Sequence, residues 1–201
     1  MKIAGIYLAA GNSRRMGPGI HKLYIPLQGK PLGNLALQAA VSSRLSHIIV
    51  VVTNEPTWML ERMCHEKVRI LSCSNAYRGQ SYSLRCGVEK AKRMNVDGVL
   101  VLLADQPFVT LEFINKMISC CEQNENIHFV AASYRGIRQP PVLFTKKVFP
   151  LFQALKGDEG ARAIFTKPGM NGISLLSESE KMFFDVDTWE KYQQVKREYK
   201  D

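Results

Sequence analysis

The feature that most constrains the fold is an alternation of short apolar runs with longer amphipathic segments. The apolar runs are rich in Val, Ile and Leu, as strands buried on both faces of a sheet are, and they occupy Ile3–Leu8, His47–Thr53, Val68–Ser72, Gly98–Ala104, Phe129–Ser133 and Gly172–Leu176. The segments with helical periodicity are Leu32–Ser43, Thr57–Glu66, Ser81–Met94 and Thr110–Gln123. This order predicts an α/β fold, a mostly parallel sheet with helices on both faces.

The last third of the chain is divided by turn residues instead, namely Pro140, Pro141, Gly157, Gly160, Pro168, Gly169 and Gly172. We predict that it adds a hairpin or a long loop and closing helices, the last from Thr188 to Tyr199. With 201 residues the chain is long enough to bury a core without disulfides or metal. We therefore expect a single domain over residues 1–201.

Composition restricts the class of ligand. Lys and Arg total 27 against 18 Asp and Glu, so the formal net charge is +9 and an anionic partner is expected. The basic residues are scattered and no nucleic-acid-binding motif is present, so we expect no nucleic-acid partner. No apolar run approaches the roughly 18 residues of a membrane helix, so we expect no membrane partner. A small phosphorylated ligand is the favoured hypothesis.

The cysteines bear on the cellular compartment. Their number is odd and no C-x-x-C pattern occurs among Cys64, Cys73, Cys86, Cys120 and Cys121. This pattern argues against a zinc site and against a disulfide framework, and it suits a reducing cytoplasm. The apolar amino terminus runs directly into the sequence Gly-Asn-Ser-Arg-Arg at residues 11–15, which is unlike a signal-peptide cleavage region. We therefore expect a cytoplasmic protein whose first apolar run is a buried strand.

Ligands of open α/β sheets bind beyond the carboxyl ends of the strands, so the residues there are candidates for function. Small residues follow the first strand at Ala9–Gly11, and Arg15 and Lys22 come next. Such a loop can cradle an anion with its backbone N–H groups while the two cations neutralise phosphate. The loop matches neither the dinucleotide-binding nor the Walker pattern, and an ordinary loop with solvated arginines is an equally good interpretation.

Carboxylates follow two later apolar runs. Asp105 ends the run that begins at Gly98, and Asp185 and Asp187 follow a shorter one. Carboxylate oxygens suit Mg²⁺ on a triphosphate, whereas the alternatives are a turn aspartate and a helix N-cap. Two helix starts, at Asn75–Leu84 and Gly157–Arg162, can bind phosphate or a base edge, or can simply be capped.

Together these segments resemble the MobA-like nucleotidyltransferases, in particular the molybdenum-cofactor cytidylyltransferases and the related xanthine dehydrogenase accessory proteins of purine catabolism. The resemblance covers nearly the whole chain. The matching segments occur in the family's order and are Leu8–Gly17, Lys22, Pro26–Leu32, Gly79–Leu84, Leu103–Pro107, Gly157–Arg162 and Asp185–Thr188.

The resemblance implies a Rossmann-like nucleotidyltransferase fold and a Mg²⁺-dependent transfer of CMP from CTP to molybdopterin, a phosphorylated pterin. By position, Arg15 and Lys22 would be catalytic, and Asp105 with Asp187, or else Asp185, would hold Mg²⁺. The nucleotide would be bound by Leu8, Ala9, Ala10, Gly11, Asn75, Gly79, Gln80 and Ser81. The acceptor would face Gly157, Asp158 and Arg162. The partner would be a molybdenum hydroxylase such as xanthine dehydrogenase.

Two other hypotheses stay open. The spacing of Arg15 and Lys22 resembles that of sugar and isoprenoid nucleotidyltransferases, so the acceptor could be a sugar or isoprenoid phosphate. Pro140 stands where many relatives have a histidine before Pro141, a departure that bears on acceptor recognition. A third hypothesis is a non-catalytic maturation factor that binds the cofactor. The Leu-Ala-Ala-Gly sequence at residues 8–11 resembles the members that use cytidine nucleotides.

Overall fold

The structure, a computed structural model, describes residues 1–17 and 19–198, apart from the side chains of Arg14 and Arg62. Its strands are β1 Ile3–Leu8, β2 Pro26–Leu27, β3 Lys30–Pro31, β4 His47–Val52, β5 Val68–Ser72, β6 Gly98–Leu103, β7 Phe129–Tyr134, β8 Ile137–Thr145 and β9 Gly172–Leu176. Its α-helices are α1 Leu35–Ser42, α2 Gln80–Arg93, α3 Leu111–Gln123, α4 Arg162–Phe165 and α5 Trp189–Glu198. Tyr199, the last residue of the predicted closing helix, lies outside the described residues.

Seven strands form one sheet in the order β5-β4-β1-β6-β8-β7-β9, and β2 pairs with β3 separately. Among the strands of the described residues, β8 alone runs antiparallel to its neighbours in the large sheet. The mostly parallel α/β fold predicted from the alternating pattern is therefore confirmed. All six predicted strands are present, with ends that differ by at most one residue.

Alternate residues of the central strands supply two apolar layers. On β1, Ile3 and Tyr7 belong to the layer that includes α1 and α3, while Ala4 and Ile6 belong to the layer that includes α2. Helices thus cover both faces of the sheet, as the unbroken apolar strands require. A third, smaller cluster joins α5 to the segments that follow β1; its buried members are Met16, Leu27, Leu32, Val186, Tyr192 and Val195.

The helix predicted over Thr57–Glu66 is wrong. The segment's one helical stretch, in the described chain, is a 3₁₀ turn at Glu61–Met63, and a tight turn precedes it, in which the Met59 N–H donates to the Pro56 carbonyl at 2.8 Å. The amide of buried Asn34 takes the place of helical hydrogen bonds, because it donates to the Trp58 carbonyl at 2.7 Å and accepts from the Leu60 N–H at 2.9 Å. Tertiary contacts therefore satisfy this backbone.

The hairpin expected in the last third is confirmed, although its second strand, β8, includes the two prolines at 140 and 141. The pairing of β6 with β8 ends at Val101 opposite Val142. The prolines lie beyond that point, so their missing N–H groups interrupt no bond to β6. Arg135 and Gly136 form the turn, both with positive φ angles of 47° and 81°, as tight hairpin turns require.

The expectation that the cysteines form no disulfide is wrong for one pair. Cys73 and Cys86 are disulfide-bonded, with Cα atoms 6.4 Å apart. Cys73 follows β5, and the 3₁₀ turn at Ala76–Arg78 leads back into α2, which carries Cys86. This reversal makes two residues 13 positions apart neighbours. Among the described residues, no helix is both long and apolar enough to cross a bilayer.

Candidate functional site

A cavity of about 490 Å³ lies at the carboxyl ends of β1 and β6, where ligands of open α/β sheets bind. Its size suits a small-molecule ligand. The residues that line it are Leu8, Ala9, Ala10, Gly11, Asn12, Ser13, Arg15, Lys22, Leu23, Ala76, Tyr77, Arg78, Gly79, Gln80, Leu103, Ala104, Asp105, Asp158 and Asp187.

The loop after β1 forms one wall of the cavity. The Ala9 N–H donates to the Val51 carbonyl at 2.9 Å, which ties the start of the loop to β4. Ser13 adopts a left-handed conformation with φ of 50°, and its carbonyl accepts from the Met16 N–H at 2.9 Å. Within the described chain the N–H groups of Gly11 and Asn12 make no hydrogen bond, so they are available to an anion.

Lys22 joins the two predicted metal ligands. Its Nζ lies 2.5 Å from Asp105 Oδ2 and 2.7 Å from Asp187 Oδ1. Arg15 Nη2 lies 3.0 Å from Asp187 Oδ2. The Lys22 side chain is only 12% exposed, whereas that of Arg15 is 70% exposed. Two carboxylates and two cations that are far apart in the chain therefore form one neutral group.

Asp187 reaches Asp105 through the packing of the closing segment. The Val186 N–H donates to the Asp105 carbonyl at 2.9 Å, and the Val186 side chain is fully buried. On α5, the Tyr192 hydroxyl donates to the Pro26 carbonyl at 2.7 Å. These bonds anchor the end of the chain beside β6, so the closing segment positions a side chain of the site.

Burial and charge shift the pKa values of these groups. Burial alone would lower the pKa of Lys22, but the adjacent carboxylates outweigh burial and raise it. Burial alone would raise the pKa of Asp187, but Lys22 and then Arg15 lower it. Asp185 differs, because burial and the charge of Asp105 raise its pKa to about 6. The Asp105 and Asp187 pair is thus the one that Lys22 neutralises.

The donor set fits a divalent cation. Lys22 shows that the carboxylates of Asp105 and Asp187 converge on a single cation. Within residues 1–17 and 19–198, no group of three His, Cys, Asp or Glu side chains is arranged to hold a metal ion. A hard cation with about six oxygen ligands would therefore need phosphate oxygens and water in addition to these two carboxylates.

The remaining predicted residues divide into two sets. The cavity is lined by Leu8, Ala9, Ala10, Gly11, Gly79, Gln80 and Asp158; the residues that do not line it, in the part of the chain described, are Asn75, Ser81, Gly157 and Arg162. Ser81 is fully buried, and its N–H donates to the Gly157 carbonyl at 3.1 Å. Gly79 has no room for a side chain because a Cβ atom there would meet the Gly157 carbonyl. Ser81 and Gly157 therefore brace the wall that carries Gly79 and Gln80.

Sequence reasoning missed Tyr77 and Arg78. Both line the cavity, and Tyr77 is 63% exposed. Arg78 holds its guanidinium 4.9 Å from the centre of the Tyr82 ring, and Arg85 approaches the same ring at 4.3 Å. The sequence signal available was that both residues lie inside Asn75–Leu84, the helix start already proposed to bind phosphate or a base edge.

Solved structures with the same architecture define the class of protein. The chain is similar to the Mycobacterium tuberculosis H37Rv protein Rv0371c, with a TM-score of 0.82, 22% identity and coverage of 98% of this chain and 97% of that one. It is also similar to a nucleotidyl transferase from Methanothermobacter thermautotroptrophicus, with a TM-score of 0.81, 19% identity and coverage of 98% and 97%. The fold is the α/β nucleotidyltransferase fold.

Sequence comparison then identifies the family. The model of the MobA-like NTP transferase domain matches residues 5–171, and the chain belongs to this family. It is 36% identical over 204 residues to the purine catabolism protein PucB of Bacillus subtilis (strain 168), covering 97% of this chain and 96% of that protein. It is 26% identical to the 2-C-methyl-D-erythritol 4-phosphate cytidylyltransferase of Nitrosomonas eutropha, covering 84% and 68%. The protein is a nucleotidyltransferase.

Proposed function

We propose that this nucleotidyltransferase transfers CMP from CTP to molybdopterin with Mg²⁺, in the cytoplasm, for use by a molybdenum hydroxylase such as xanthine dehydrogenase. The observation that carries the proposal is the convergence of Arg15, Lys22, Asp105 and Asp187 at the carboxyl ends of the central strands. The B. subtilis relative is named a purine catabolism protein, and the N. eutropha relative is named a cytidylyltransferase. Both names support the same proposal.

The reaction needs no protein nucleophile. A phosphate oxygen of the acceptor attacks the α-phosphorus of CTP in line, the new O–P bond forms, and the bond to the β-phosphate oxygen breaks. Pyrophosphate leaves and the acceptor carries CMP through a phosphoanhydride. The protein contributes alignment of the two substrates and neutralisation of the developing charge.

Each part of the site has a role in that reaction. The N–H groups of Gly11 and Asn12 bind phosphate oxygens, while Arg15 and Lys22 neutralise the charge on the departing pyrophosphate. Asp105 and Asp187 would hold Mg²⁺, which when bound supplies charge neutralisation at the phosphoryl oxygens. A solved structure of Rv0371c is a complex with manganese, which supports a divalent cation at this fold.

A sugar or isoprenoid phosphate is the second candidate for the acceptor. The relative from N. eutropha is named for a methylerythritol phosphate substrate, and the spacing between Arg15 and Lys22 favours the same class. The chemistry at the α-phosphorus is unchanged, so the two candidates differ only in the acceptor subsite.

The proposed function is tested by incubating the purified protein with labelled CTP, Mg²⁺ and molybdopterin. We expect release of pyrophosphate, and we expect the Asp105→Asn variant to lose roughly 100-fold or more of the turnover. The matched control is Asp97→Asn, since Asp97 precedes β6 at the opposite end of the strand from Asp105 and is 43% exposed. Full turnover in Asp105→Asn would refute the metal role.

The choice of substrates is tested in parallel. CTP is competed against GTP in the same assay, and molybdopterin is compared with sugar and isoprenoid phosphates as acceptor. If the protein prefers another acceptor, that acceptor takes the place of molybdopterin in the proposed function. Binding of molybdopterin in a single-turnover assay without any pyrophosphate would favour a non-catalytic maturation factor.

A further inference from the structure

We propose that Lys22 is an internal cation that occupies the metal position in the free enzyme and yields it when a triphosphate binds. This inference rests on the proposed function, because it concerns the same two carboxylates. Its consequence is an order of binding: the protein alone has little affinity for a divalent cation, and the metal enters together with the nucleotide.

Lys22 already fills the space between the two carboxylates. The ammonium of Lys22 lies within hydrogen-bonding distance of both carboxylates, at 2.5 Å from Asp105 and 2.7 Å from Asp187. A divalent cation that is bound by both carboxylates would need the space that this ammonium occupies. The two cations would also repel each other strongly in a site that is mostly shielded from water. Lys22 would therefore have to leave before Asp105 and Asp187 could both hold a metal ion.

The two carboxylates are also well neutralised without a metal ion. Their side chains are 20% and 14% exposed, and Lys22 is 12% exposed. Arg15 adds a second positive charge at 3.0 Å from Asp187. The two carboxylates thus already have two cationic partners, and a free metal ion gains little by entering.

The loop after β1 determines where the Lys22 side chain can move. Its backbone N–H donates to Ser13 Oγ at 3.0 Å, so the residue is anchored to the loop whose Gly11 and Asn12 residues line the cavity. Its side chain reaches from that loop to the carboxylates. A triphosphate held by the loop offers Lys22 and Arg15 new anionic partners on the same side of the cavity. The nucleotide thereby frees the carboxylates and supplies the oxygen ligands that they lack.

The experiment measures Mn²⁺ alone, without nucleotide, by water proton relaxation. We expect Lys22→Met to bind Mn²⁺ roughly tenfold or more tightly than the wild type, because the competing charge is removed. Arg15→Met is the matched control, since it removes one positive charge from the same group but from the exposed side of Asp187. We expect it to change Mn²⁺ affinity much less. The double variant Lys22→Met/Asp105→Asn should lose the gain, which places the ion at the carboxylates.

A second variant, Lys22→Gln, repeats the test with a polar side chain should Lys22→Met not fold, as judged by thermal unfolding. Equal gains in the Lys22 and Arg15 variants would overturn the proposal, because net charge rather than occupancy would then govern affinity. Unchanged or weaker Mn²⁺ binding in both Lys22 variants would also overturn it. With CTP present, a larger relaxation enhancement by Mn²⁺ in the wild type than in Asp105→Asn would leave the proposed function standing. Equal enhancement in the two proteins would mean that the metal role of Asp105 and Asp187 fails as well.

Discussion

Replacement of Asp185 by Asn is predicted to stabilise the protein at neutral pH. Asp185 is part-buried, and its Oδ1 atom is buried without a hydrogen-bond partner in the described chain. Burial and the nearby charge of Asp105 raise its pKa to about 6 from a usual value of 3.8. The ionised carboxylate is therefore less favourable in the folded protein than in the unfolded chain. Asn keeps the shape and removes the charge.

The magnitude follows from the shift of about two pKa units. Each unit corresponds to about 1.4 kcal/mol of differential stability, so the cost of ionised Asp185 is at most about 3 kcal/mol. Because solvent still reaches part of the side chain, we expect about 1 to 2 kcal/mol. The unfolded chain ionises first as the pH rises through 3.8, so the cost develops between that value and about 6. The cost is complete above about pH 6 and absent below about pH 3.8.

The assay is urea unfolding of the wild type and Asp185→Asn at pH 4 and pH 7.5. The variant should be more stable at pH 7.5 and nearly equal to the wild type at pH 4. Asp158→Asn is the control, since it makes the same chemical change at an exposed carboxylate that has no ion pair within the described residues. A stability difference that is independent of pH, or a less stable Asp185→Asn at pH 7.5, would refute the reasoning.

Two further predictions concern a strained glycine and a helix cap. Gly79 has φ of +128°, and a Cβ atom there would meet the Gly157 backbone. Gly79→Ala should therefore lower the free energy of unfolding by about 2 kcal/mol or more. Gly136→Ala is the control, because Gly136 has a positive φ but open space around it; it should lower the free energy of unfolding less, and equal losses would contradict the steric account. Thr110 Oγ1 accepts from a backbone N–H at the start of α3 at 3.2 Å, so Thr110→Ala should cost about 1 kcal/mol. Thermal unfolding measures these variants, and an unchanged melting temperature for Thr110→Ala would show that the cap is dispensable.

Local patterns predicted much of the scaffold. Val, Ile and Leu runs marked the central strands β1, β4 and β6 because a strand covered on both faces has no polar side. The edge strands β5 and β9 are largely exposed or half-buried, and they were marked by shorter apolar runs. The start of α3 at Thr110 was also predictable, since a hydroxyl before an apolar stripe is a local capping signal; that stripe is buried at Ile114, Met117, Ile118 and Cys121.

The errors share one cause, which is that distant residues decided the local structure. The segment predicted as a helix at Thr57–Glu66 has its backbone bound by Asn34, which lies more than 20 residues earlier. The Cys73 to Cys86 bond depends on how α2 folds back over the end of β5. Neither contact produces a recognisable pattern, such as a regular spacing of apolar residues, in the local sequence.

The site shows the same division. The ordered motifs identified Arg15, Lys22, Asp105 and Asp187 as candidate residues because together they resemble the MobA-like family. Taken singly, the same charged residues after apolar strands fit ordinary turns and helix caps as well. Only the folded chain shows that Lys22 lies between both carboxylates. It alone also shows that the Val186 N–H, bound to the Asp105 carbonyl, places Asp187 beside Asp105. A linear sequence records which chemical groups are present and their local order. Their distances depend on the simultaneous packing of residues far apart in the chain, which the tertiary structure alone decides.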